Sequence, residues 1–140
     1  MNERKSQKMI KVVLDTNVLV SSLLSSGSPA AIVDFIAEGK IIPVYNDLIL
    51  QEYWDVLSRK KFDFHSSQVT RLINDIVRTG IAVESETYGN FKMTDEDDRK
   101  FYEAAKKAPA YLVTGNVKHF PSEPFIVTPA HFLTIHEVRK

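Results

Sequence analysis

Five short apolar runs recur along the chain, at Ile10–Leu14, Ile41–Tyr45, Ile81–Glu84, Tyr111–Thr114 and Phe125–Val127. Each is rich in β-branched or aromatic residues and shorter than an ordinary helix, so each reads as a strand. The stretches between them carry helix signals. Val18–Leu24 is apolar and ends at Ser25-Ser26-Gly27, which predicts one or two helical turns. Ser28-Pro29 predicts an N-cap followed by Pro at the first helical position, with a helix that reaches Glu38 and stops at Gly39. Asn46 or Asp47 caps a helix to about Ser58, and Ser66 or Ser67 opens one to about Arg78, ended by Gly80. Ser85–Lys92 reads as a loop. Thr94-Asp95-Glu96-Asp97 has the form of a capping box before a helix ending near Ala108-Pro109, and Thr128-Pro129 starts a last short helix. Strands alternating with helices predict an α/β domain, a parallel sheet covered on both faces. Pro43 has no amide donor, which predicts imperfect or edge pairing for the second strand.

The chain has 140 residues, 44% of them hydrophobic, enough to bury roughly two thirds of its unfolded surface around one core. Met1–Lys8 is polar and reads as a disordered arm, leaving residues 9–140 as a single domain without repeats or linkers. The absence of cysteine excludes disulfide scaffolds, thiolate-held zinc, iron–sulfur clusters and thiol catalysis. Any metal must be held by oxygen or imidazole. Eighteen basic and eighteen acidic residues cancel, so a nucleic-acid partner would be recognised through local patches rather than a whole-molecule field. The apolar runs are too short to span a bilayer, and the start MNERKSQK lacks the hydrophobic segment of a secretory signal. The expected location is cytoplasmic.

Ligands of open parallel sheets gather beyond the carboxyl ends of the strands. Two polar triplets fall at such ends: Asp15-Thr16-Asn17 and Thr114-Gly115-Asn116. Asp15 and Asn116 are also residue types that cap helices without any further role, and Gly115 could serve a backbone angle or a ligand's close approach. Glu52 is harder to explain by structure alone. It lies in the apolar stripe Leu48, Ile49, Tyr53, Val56, Leu57, where a carboxylate is costly unless it pairs with a cation or a metal. The acidic run Asp95–Asp98 suits the first turn of a helix, and helical angle cannot choose between Asp97 and Asp98 as the inward acid. His65, His119, His131 and His136 show no metal-ligand spacing. Ser25, Ser26 and Ser28 lack the Lys and spacing of a phosphate-binding loop. Arg59-Lys60-Lys61 beside Phe62 and Phe64 could contact phosphates and bases, or be a solvated helix end.

Four motifs then fall in a telling order: Val12-Val13-Leu14-Asp15-Thr16-Asn17, Glu52-Tyr53, Asp97-Asp98-Arg99-Lys100-Phe101, and Leu112-Val113-Thr114-Gly115-Asn116. Together they resemble a PIN domain, in the branch of the VapC-like toxin components of bacterial toxin–antitoxin pairs, over nearly the whole chain from Met9. The resemblance implies a three-layer α/β/α sandwich and metal-dependent endoribonuclease activity at a cluster of acids. It carries the catalytic and metal-binding positions to Asp15, Glu52 and Asp98, choosing Asp98 where helical angle could not. The fourth position, Asp in many members, is Asn116 here. Asn offers a carbonyl oxygen without charge, so one metal site is expected, with Asn116 contacting a water on the metal. Mg²⁺ or Mn²⁺ suits such an all-oxygen set. The implied reaction is in-line attack leaving a 5′-phosphate and a 3′-hydroxyl. Without metal, the clustered acids should have at least one raised pKa.

The implied partners are RNA, an antitoxin laid across the acidic groove, and a second copy in a homodimer, with no membrane. Trp54, Phe62 and Phe64 could contribute to such surfaces as well as to the core. Two other readings compete. A haloacid-dehalogenase-like phosphatase also starts from an Asp after a strand, but wants an acid two residues on, where Asn17 stands. A degenerate PIN domain that binds without cutting is the other, with Asn116 as its mark.

Overall fold

The computed structural model describes residues 9–85 and 96–139. In chain order the elements are β1 (Lys11–Leu14), α1 (Thr16–Leu24), α2 (Ser28–Ala37), β2 (Ile42–Tyr45), α3 (Asp47–Leu57), α4 (Ser66–Thr79) and β3 (Ile81–Ala82). A 3-10 turn (Glu96–Asp98) then leads into α5 (Arg99–Lys107), followed by β4 (Tyr111–Val113), a second 3-10 turn (Val117–His119), β5 (Ile126–Val127) and α6 (Pro129–Arg139). The strands form one parallel sheet in the order β3-β2-β1-β4-β5, flanked by the helices in an α/β/α sandwich. Val12, Val13, Leu14, Leu112 and Val113 are all but inaccessible, as expected of central strands covered on both faces. From β1 the chain moves one way to β2 and β3, then crosses to β4 on β1's other side. That reversal makes the crevice at the carboxyl ends of β1 and β4 the switch point of the fold.

Three local expectations change. β2 is an interior strand, paired to both β1 and β3, not an edge. Ile42 N donates to Ile10 O at 2.9 Å, so the alternation of a strand turns Pro43's nitrogen toward β3, whose pairing begins only at Val44. No ladder bond is lost there. Gly27, not Ser28, caps α2: its φ of 138° lies where glycine is favoured, its carbonyl accepts from Ala31 N at 2.9 Å, and Ser28 is already helical. The third strand holds only Ile81 and Ala82.

The helix ends otherwise follow the expected chemistry. Gly39, at φ 75°, closes α2 with a paired set of bonds, Gly39 N to Ile36 O and Lys40 N to Phe35 O. Asn46 Oδ1 caps α3 by accepting from Ile49 N at 2.9 Å. The final helix is longer than expected, eleven residues. Thr94 and Asp95 of the expected capping box, the Ser85–Lys92 loop beyond Ser85, and the expected arm Met1–Lys8 lie outside the described residues. Among the described residues, no single helix is long and apolar enough to cross a membrane.

Candidate active site

Asp15 ends β1 and begins α1. Its amide donates to Val113 O at 3.0 Å, which seats it against the end of β4. Its carboxylate caps α1, with Oδ1 3.5 Å from Asn17 N, while Oδ2 accepts from Thr114 Oγ1 at 2.8 Å. The expected cap is therefore present, yet it does not account for the whole side chain. Asp15 is only 6% exposed, and no cation pairs with it among the described residues. Burial raises its pKa above the usual carboxylate value, and the nearby charge of Glu52 adds to the rise. The bonds from Thr114 and Asn17 oppose it.

Glu52 is delivered by α3. Ile49, Tyr53 and Leu57 form the buried stripe of that helix, and the Tyr53 hydroxyl donates to Leu14 O at 2.7 Å, clamping α3 to the end of β1. Burial and the neighbouring carboxylates hold that phenol well above its usual pKa, so it stays a neutral donor. The stripe is narrower than expected, because Leu48 is exposed. Glu52 sits at its border: Oε2 accepts from Thr16 Oγ1 at 2.5 Å, and Oε1 pairs with Lys100 Nζ at 2.6 Å. The ion-pair explanation for Glu52 thus holds, and the same carboxylate also faces the cleft.

The third acid arrives on the 3-10 turn before α5. Asp97 is exposed, whereas the Asp98 side chain is 17% accessible and has Oδ2 3.8 Å from His119 Nδ1. Arg99 is held by Glu96 at 2.6 Å and by Glu103 at 3.7 Å, while Lys100 also donates to the carbonyl of Asp97. Asp95 lies outside the described residues.

Asp15, Glu52 and Asp98 all line one open cleft of about 710 Å³. Thr16, Asn17, Asp97 and Lys100 share its wall, and Arg59, Lys61 and Phe62 form another part of it. Asn116 is exposed and is not among the lining residues. Its link to the cleft is through the backbone, its amide donating to Thr114 Oγ1 at 3.0 Å. Gly115 needs no special backbone angle, and a side chain there would meet nothing within 4 Å. His65 and His131 are exposed, and His136 is buried against the rings of Phe35 and Phe132. Three residues that reading the sequence did not single out complete the site: Thr16, Lys100 and Thr114. Their signal was present only as membership of the motifs around Asp15, Asp98 and Asn116.

Among the described residues, no group of three or more His, Asp or Glu side chains stands at metal-holding spacing. The donor set nonetheless suits a hard divalent cation. All three side chains offer oxygen, and Asp15 is a buried carboxylate beside a second one without a cation of its own among the described residues. Lys100 supplies the positive charge that Glu52 has in this arrangement.

Comparison with known proteins agrees with the geometry. The family model described as "PIN domain" matches residues 11–118, from the first residue of β1 to the turn after Asn116. An uncharacterized protein of Methanocaldococcus jannaschii, MJ1680, is 33% identical over 119 residues, covering 81% of this chain and 76% of that protein. PIN domains have a nuclease-type fold and are generally metal-dependent. With its carboxylates gathered at the switch point of a five-stranded parallel sheet, this chain belongs to the PIN-domain family.

Proposed function

We propose that the protein is a Mg²⁺- or Mn²⁺-dependent endoribonuclease, the toxin of a toxin–antitoxin pair, acting in the cytoplasm. The observation that carries the reading is Asp15: a buried carboxylate next to Glu52, at the mouth of a cleft that Asp98 also lines. Asp15, Glu52 and Asp98 would hold the ion, with Asn116 as a neutral fourth position. When bound, the ion supplies Lewis acidity at the scissile phosphate and favours ionisation of the attacking water. The chain's own residues do the rest. Thr114 fixes the Asp15 carboxylate, Thr16 fixes Glu52, and Lys100 offers a cation to substrate phosphate once it is released from Glu52. The open cleft admits a polymer, which suits cleavage within a chain.

An antitoxin segment across the groove and a homodimer are the proposed partners. The decisive experiment is cleavage of labelled RNA, with a DNA arm, in Mn²⁺, in Mg²⁺ and in EDTA. RNA cleavage that stops with EDTA and falls on the order of a hundredfold in Asp15→Asn supports the reading. Metal-independent cleavage, or Asp15→Asn at full rate, overturns it. Cleavage of DNA alone would replace the substrate class.

A further inference from the structure

We propose that Arg59, Lys61, Phe62 and Phe64 form a nucleotide subsite, which holds one base and one phosphate of a single-stranded nucleic acid beside the acidic cluster. The proposal takes the position of the cleaved bond from the nuclease reading above. Its residues lie outside the acid cluster and the motifs that define it.

The segment after α3 is built to present these side chains. Ser58 caps the helix, and two hydrogen-bonded turns follow, Phe62 N to Arg59 O and Asp63 N to Lys60 O, both at 3.1 Å. Asp63 sits at φ 53°, a left-handed position that Asp tolerates better than most residues. The rings of Phe62 and Phe64 come out of this turn parallel, 5.3 Å apart and inclined by only 7°. Both pack partly against the core, so the pair is a fixed platform rather than two loose rings. The Lys61 ammonium lies 5.1 Å from the centre of the Phe62 ring. A lysine held over a ring at an exposed site is easily exchanged for a stacked base, the stronger contact of the two.

Charge selects the same end of the cleft. Among the described residues of its wall, carboxylates outnumber cations, and two of the cations, Arg99 and Lys100, are already held by Glu96, Glu103 and Glu52. Arg59 and Lys61 have no carboxylate within salt-bridge distance among the described residues. Of the described cations on the cleft wall, a phosphate chain therefore meets the two without a carboxylate partner here. Arg59 stands just past the end of the helix that carries Glu52, and both line the same cleft, so it would hold a phosphate near the one at the acids. The platform discriminates against duplexes, whose base faces are covered by their own stacking.

The test is binding in EDTA, where no cleavage intervenes, followed by fluorescence anisotropy. The probes are a short labelled oligouridylate, an abasic strand of the same length, and a blunt RNA duplex. The wild type should prefer oligouridylate to both other probes. Phe62→Leu keeps the apolar volume but removes the stacking face, and should weaken oligouridylate binding at least about fivefold while leaving abasic binding unchanged. The exposed double variant Arg59→Gln/Lys61→Gln should weaken both strands. Its plot of log affinity against log salt should be shallower by about 0.7 for each phosphate that is no longer neutralised. Thermal unfolding checks that each variant is folded, and the double variant decides the question if Phe62→Leu is not. Wild-type affinity and salt slope in the folded variants overturn the subsite, and the nuclease reading then stands or falls by its own metal test. The expected binding pattern without any RNA cleavage in Mn²⁺ supports the subsite and removes the nuclease reading.

Discussion

Thr114 Oγ1 donates to Asp15 Oδ2 at 2.8 Å and accepts from the Asn116 amide at 3.0 Å. One hydroxyl thus ties the ends of β1 and β4 together across 99 positions of sequence, at the switch point of the sheet. Its single proton is committed to the carboxylate, and its lone pair to the turn that carries Asn116. Both Thr114 and Asp15 are buried. The bond therefore does two things: it orients the carboxylate toward the cleft, and it offsets part of the cost of burying a charge.

Thr114→Val keeps the shape and removes the hydroxyl. It should destabilise the metal-free protein by about 1–3 kcal/mol at pH 7, the usual cost of leaving buried polar groups unsatisfied. The sign of its pH dependence follows from Asp15. A carboxyl whose folded pKa lies above its unfolded value binds more protons when folded, so ionising it costs stability above the folded pKa. That cost is relieved as pH falls through the folded pKa toward the unfolded value near 4. Removing Thr114 widens the gap. The deficit of Thr114→Val against wild type should be largest at neutral pH and shrink toward pH 4, while Thr114→Ser should restore most of it. Urea denaturation at several pH values measures this, and a deficit independent of pH would detach Thr114 from Asp15.

The strands and the position of Asp15 were readable because they are local: β-branched runs, then an acid at a strand end. Glu52 was readable for a similar reason, as a carboxylate that breaks an apolar helical stripe. Lys100 was not. Its partner is 48 positions away, and no periodicity on α5 announces a contact with α3. Thr114 was overlooked because a threonine at a strand end is ordinary until the carboxylate beside it is known. Pro43 misled because the missing donor matters only on the side where a neighbour pairs, and that side is set by β3's register. The choice of Asp98 over Asp97 needed the family motif, and the structure adds that Asp97 is the exposed one of the two.

Gly80 and Gly115 make a contrasting pair. A Cβ on Gly80 would overlap the carbonyl oxygens of Pro43 and Ile76, both backbone atoms that cannot swing aside. Gly80→Ala should cost at least about 1–3 kcal/mol through overpacking where α4 turns into β3. At Gly115 a Cβ meets nothing within 4 Å, so Gly115→Ala should stay within about 0.5 kcal/mol. Equal melting temperatures for the two variants would contradict this account of the β2–β3 edge.

Lys100→Met removes the cation from Glu52 and leaves two carboxylates facing each other's field. The metal-free protein should lose stability, and Mn²⁺ should raise its melting temperature more than it raises that of the wild type, because the ion no longer competes with an internal ammonium. RNA cleavage should fall despite the tighter metal, since the cation proposed to meet substrate phosphate is gone. A smaller Mn²⁺ response in Lys100→Met would mean that Lys100 positions Glu52 for the ion rather than standing in its place.

Asn116→Asp tests the neutral fourth position. Asn116 is exposed, and its amide, not its side chain, connects it to Thr114 and so to Asp15. The backbone link survives the substitution, and Asp is as acceptable as Asn at the start of a helical turn. Any change in metal response must therefore come from the added charge. Added on the turn that Thr114 ties to Asp15, a carboxylate without a cation among the described residues, that charge should lower the stability of the metal-free protein and increase the stabilisation recovered on binding Mn²⁺. Melting temperatures of both proteins across a Mn²⁺ titration decide it. Superimposable curves would put Asn116 outside the metal's reach and leave Asp15, Glu52 and Asp98 as the whole proposed set.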